Sequence, residues 1–181
     1  MFGFLIGESL IAGIGNYLNA GLTRELANEL LRSAAFVPPL LQTIHLLSIA
    51  AIMGSIVLID LRALGLAVPS QRLTEMMRRL FPWTWSALLV LLLSGLPFVL
   101  ARPLRYFNNP VFLIKFALLI PAVLLALLVY RLETARSGFW EYGQQRMILF
   151  RTVAVLSLIL WLGVALAGRW IAYSDYLFWP E

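Results

Sequence analysis

From residue 36 onward the chain alternates long apolar runs with short polar interruptions. Four of the runs approach the ~20 residues a helix needs to cross ~30 Å of hydrocarbon. The expected spans cover about residues 38–62, 82–102, 110–132 and 147–172. Pro38 and Pro39 open the first, where missing backbone N–H groups cost little. From Leu40 to Ile59 only Gln42, Thr43, His45, Ser48 and Ser55 are polar, and Ala50 with Gly54 and Ala51 with Ser55 form small-xxx-small pairs. Such pairs let a neighbouring helix approach closely.

The second span opens with Trp83 and Trp85, an aromatic belt at the interface, and Gly95 and Pro97 are expected to kink its far end. Asn108 and Asn109 stand ready to cap the third helix ahead of Pro110. Mid-span Pro121 leaves the carbonyl of Ala117 without its usual helical partner. In the fourth span Arg151 lies near the start, Arg169 and Trp170 near the end, and Gly163 with Ala167 mark a close-packing face.

The pattern before residue 36 is different. Residues 1–20 lack a positively charged start, and Glu8 interrupts their apolar core, so they read as an interfacial helix or re-entrant stub rather than a cleaved leader. Thr23 is placed to cap a second short helix with Leu22, Leu26 and Leu30 on one face and Glu25, Glu29 and Arg32 away from it. That helix either lies in the headgroup plane or packs on the protein's own outer surface. The domain plan is thus an N-terminal amphipathic segment, 1–35, and a membrane domain, 36–181. The fold class is all-α, a four-transmembrane-helix bundle.

Composition agrees with this plan. Of 181 residues 61% are hydrophobic and 13% charged, with a mean hydropathy of +0.87. A water-soluble domain carries about 25% charged residues, too many for this chain to be one. The net charge of +5 comes from basic residues flanking spans, where topology explains them better than nucleic acid does. Arg62, Arg72, Arg78, Arg79, Arg131, Arg136, Arg146 and Arg151 gather at the end holding the first and third loops. Arg24, Arg32, Arg102, Arg105 and Arg169 lie at the other. The excess places loops 63–81 and 133–146 in the cytoplasm and both termini outside, the periplasm of a bacterium.

The absence of cysteine excludes disulfides, thiolate metal sites, iron–sulfur clusters and cysteine nucleophiles. With His45 the only histidine, a single chain cannot build a site from several imidazoles. No GxSxG, HExxH or phosphate-binding glycine loop occurs, and no paired carboxylates lie within the spans.

Candidate chemistry therefore rests on depth. His45 lies five residues past Leu40 and Lys115 five past Pro110, on helices entering from the outer side, so each sits roughly 7–8 Å in from that residue. Gln42 is one turn outward of His45, and Arg169 leaves the membrane at the same side. These four residues define an expected outer polar cluster with His45 as its one metal-ligating group. The competing reading makes His45 a hydrogen-bonding side chain between helices, lets Lys115 snorkel and makes Arg169 an interface anchor. At the inner side a structural ion pair of Asp60 with Arg62 or Arg151 is expected, about 22 Å from His45 along the helix.

The stretches LQTIHLLSIAAIMGSIVLIDLRALGLA, YFNNPVFLIKFALL and AGRWIAY resemble a bacterial domain-of-unknown-function family of small four-helix inner-membrane proteins. The resemblance covers roughly residues 36–173. It implies the four-helix fold and the inner membrane but no activity. More distantly the layout resembles the membrane part of copper-resistance protein D and the HemJ-type protoporphyrinogen oxidase. Both have a histidine early in the first span and a lysine in a later one. The HemJ-like resemblance implies haem b with His45 as axial ligand and Lys115 near a propionate. A second histidine would have to come from a dimer or partner, since Met53 lies two turns along the same helix. Copper is less well served, because the five methionines do not cluster in the outer half.

Three functions follow as expectations. The first is a non-catalytic membrane subunit packing with itself or a larger complex. The second is a haem-b redox protein, and the third a small-solute or copper-ion permease. Whether the protein is an enzyme stays open.

Overall fold

The computed structural model describes residues 2–141 and 143–173, all helical or connecting. The elements in order are α1 (Phe2–Ala20), α2 (Leu22–Arg32), α3 (Val37–Ala63), α4 (Leu73–Ala101), α5 (Pro103–Phe107), α6 (Pro110–Ala135) and α7 (Gln144–Trp170). A 3-10 turn, Ile171–Tyr173, follows. Helices α3, α4, α6 and α7 are long and apolar enough to cross a membrane. Helix is the form this composition demands, because backbone groups in hydrocarbon must be satisfied within the segment. The chain is a multi-pass helical membrane protein. Its end with the α3–α4 and α6–α7 connections is called the inner end below.

α3 is the hub. It packs most extensively on α4 and also on α7, α7 packs on α6, and α4 and α6 barely touch. An aromatic contact joins α4 to α6: Tyr130 meets Phe81 at 5.1 Å and Trp85 at 5.9 Å between ring centroids. Small residues set the other contacts. A Cβ added at Gly163 would come within 3.0 Å of Leu118, so α6 and α7 meet at the glycine's backbone. Ala122 and Ala154 are fully buried. The apolar core lies in the inner half around Ile56, Ile59, Met77, Phe81, Trp140, Phe150 and Trp161.

The inner end is tightly built. α3 ends in a Schellman motif: Gly65 N–H reaches the Arg62 carbonyl, Leu66 N–H reaches Leu61, and Gly65 takes the left-handed conformation at φ 80°. The α6–α7 connection then turns back over α4. Trp140 stacks on Phe150 at 4.8 Å and donates to the Val129 carbonyl, while Glu141 accepts the Leu73 N–H at 3.0 Å. That carboxylate supplies the cap that Arg72 does not.

This cap explains why α4 begins at Leu73, well before the expected start at 82. Leu73, Met76, Met77 and Phe81 are all buried, a helical stripe that the arginines between them obscured. The stretch taken for a basic loop is the amphipathic first part of α4, and Pro82 lies inside the helix.

At the outer end Asn109 caps α6 as expected, its Oδ1 accepting the Val111 N–H at 2.9 Å. Thr23 does not cap α2; Gly21 holds that position without a side-chain bond. α1 lies against α5, where Gly15 allows the Phe107 Cβ to approach to 3.4 Å of a Cβ position. α2 packs on α4 through buried Ala27. Leu22, Leu26 and Leu30 remain exposed, so one face of this helix docks on the protein and the leucine face is left to the surroundings.

Candidate functional site

The outer polar cluster is built on a close approach of α3 to α4. His45 projects from the third turn of α3 into the notch left by Gly95, where a Cβ would lie 2.9 Å from the ring Cε1. No L-residue with a side chain fits there without displacing the ring. His45 Nδ1 lies 3.1 Å from the Ser94 hydroxyl. Ser94, itself buried, directs its hydroxyl at the Val90 carbonyl at 2.7 Å, with Leu91 at 3.2 Å. A hydroxyl has one hydrogen, and the shortest of these contacts takes it. Ser94 then accepts from His45, the proton sits on Nδ1, and Nε2 carries the lone pair. The ring also hydrogen-bonds the backbone of Leu91, one turn along α4 from Gly95.

Lys115, half-buried on the second turn of α6, lays Cε and Nζ 3.8 Å from the Cβ position of Gly168 on α7. Its ammonium is within electrostatic range of the imidazole. No carboxylate pairs with it among the described residues. His45 and Lys115 thus lie within electrostatic range of each other, although their helices pack little on one another. The other two expected members stand apart. Gln42 is exposed on α3. Arg169 is exposed and donates to the Tyr173 hydroxyl at 3.1 Å, its guanidinium 5.3 Å from that ring, as an interface anchor would.

The inner constellation differs from expectation. Asp60 is buried at 4% exposure, faces Ser157 of α7, and leaves Oδ2 without a hydrogen bond. Neither arginine reaches it. Arg62 Nε donates to the Gln71 carbonyl at 2.8 Å, and Arg151 Nε to the Ala63 carbonyl at 3.3 Å. Arg151 thus satisfies a carbonyl at the C-terminal end of α3, where exposed carbonyls attract cations, and Arg62 one in the loop that follows. Glu75 pairs with Arg79 one turn on in α4. The expected Asp60–Arg62 or Asp60–Arg151 pair is not formed.

Sequence reasoning did not single out Ser94, Ser157 or Glu141. Ser94 and Gly95 stand side by side in an otherwise leucine-rich run, which is the signal that a polar group from another helix meets α4 there. Glu141 carries no such mark, because its partner lies in a different loop. Among the described residues no group of three His, Asp or Glu side chains comes together that could hold a metal ion.

A family model described as DUF6644, a family of unknown function, matches residues 34–174. No curated protein and no solved structure matches the chain.

Proposed function

The chain belongs to the DUF6644 family, to which no function is assigned, and from that premise we propose that it is a non-catalytic membrane subunit, packing through α3 with a second copy or a larger complex. One observation carries this reading. Ser55 and Gly95 are used inside the bundle, whereas Ala50 and Gly54 are exposed and nothing lies within 4 Å of a Cβ built on Gly54. In lipid such a stripe gains by close backbone approach to another helix, since apolar area alone drives little association there. The proposed setting is the bacterial inner membrane with the inner end cytoplasmic and both termini periplasmic, on the arginine asymmetry. The test is the mass of the protein in lipid nanodiscs. Wild type is expected as an oligomer and Gly54→Leu as a monomer; a monomeric wild type contradicts self-association and leaves only a hetero-complex.

A second reading, haem b on His45, draws support from the buried Ser94 contact that holds the His45 ring at Nδ1. The Ser94 bond to Nδ1 is the kind of support that orients a ligating imidazole and raises its basicity. The residues present fit one axial bond, with Lys115 as a cation for a propionate. Bound haem would supply one-electron chemistry; the chain's own part is to hold the ring, fix its tautomer and offset anionic charge. An absorbance spectrum of the purified protein, oxidised and then reduced, tests it. A Soret band lost in His45→Ala supports haem, and a flat spectrum after expression with ample haem removes the reading.

A further inference from the structure

Two adjoining hollows at the inner end of α7 share Arg151. One, about 540 Å³, is an open apolar groove along the membrane-facing side of α7, lined by Val155, Ile159 and Leu64. The other, about 530 Å³, lies at the α6–α7 connection and is lined by Glu141, Gln144 and Arg151. Glu141 and Arg151 thus border one space with opposite charges, yet they do not pair with each other. Arg151 is exposed and uses only Nε, on the Ala63 carbonyl, leaving its terminal nitrogens to other partners. Glu141 accepts from Leu73 N–H and the Thr74 hydroxyl, and a carboxylate has about four lone-pair sites, so it can accept more.

A separated cation and anion above an apolar groove, two turns into a spanning helix, form the complement of a zwitterionic lipid. We propose that this is a binding site for a phosphoethanolamine-headed glycerophospholipid. The phosphodiester sits on Arg151, the ammonium on Glu141, and one acyl chain follows Val155 and Ile159. Guanidinium–phosphate contacts are charge-assisted and can be bidentate. Glu141 sets the headgroup. It finds no cation in phosphatidylglycerol, whose glycerol is uncharged and whose phosphate adds only a negative charge nearby, and it discriminates against choline, whose quaternary nitrogen has no N–H to donate.

The test is native mass spectrometry of the delipidated protein with equal amounts of phosphatidylethanolamine, phosphatidylcholine and phosphatidylglycerol. The expected result is a one-to-one phosphatidylethanolamine adduct in excess over the other two. Arg151→Gln is expected to lower its retention about tenfold, the loss of one charge-assisted contact. Glu141→Gln, which keeps an acceptor for Leu73, is expected to erase the preference over phosphatidylcholine. Should Arg151→Gln fail to fold, Val155→Trp fills the groove and leaves every polar group in place, and loss of the adduct there supports the site. Equal retention of the three lipids, a preference for phosphatidylglycerol, or an adduct unchanged in Val155→Trp overturns it.

Discussion

His45 and Gly95 occupy one another's space: the imidazole Cε1 stands 2.9 Å from where a Cβ on residue 95 would be. The absence of that atom lets α3 and α4 close to the distance at which Nδ1 meets Ser94. Gly95→Ala is therefore expected to push the ring off Ser94 and lower stability by about 1–3 kcal/mol, the usual cost of overpacking. Thermal unfolding in detergent reads the loss. The double variant with His45→Ala should recover most of it, because the clash needs both partners.

Glu141 caps a helix belonging to another part of the chain. Glu141→Ala removes the acceptor for the Leu73 N–H and is expected to cost about 1 kcal/mol, with Glu141→Gln costing less. Hydrogen exchange at the first turn of α4 checks this, since faster exchange should be confined to the residues just after Leu73. Unchanged exchange there would remove the cap from the account.

Asp60 is buried without an arginine partner. Breaking a buried ion pair costs about 3–5 kcal/mol. Asp60→Asn, which retains an oxygen for Ser157, is instead expected to leave stability unchanged or raise it. A drop of that size in the unfolding free energy would mean that an ion pair forms after all.

Most of the helical architecture was legible in the sequence, because hydrocarbon leaves few alternatives to an apolar helix of spanning length. The depth of His45 and Lys115 was legible for the same reason: rise per residue is fixed, and both follow a proline-marked helix start. What failed did so where long-range partners decide. The Glu141 cap, supplied from a loop 68 residues away, extends α4 through what reads as a basic loop. Charge proximity suggested that Asp60 binds Arg62 or Arg151, but open carbonyls at the end of α3 and in its loop compete for those guanidiniums. Gln42 and Arg169 lie toward the same outer end as His45 but are exposed, a distinction that depends on how the helices pack.

The most direct test of the proposed packing through α3 exploits the absence of cysteine from the chain. A single Ala50→Cys variant, expressed in its native membrane and treated with a short bifunctional thiol reagent, is compared with Leu128→Cys, an exposed position on α6. A discrete cross-linked dimer from residue 50, absent at residue 128 and abolished by adding Gly54→Leu, is the result expected if α3 is the subunit interface. No product at residue 50, or equal products at both positions, would contradict self-association through α3.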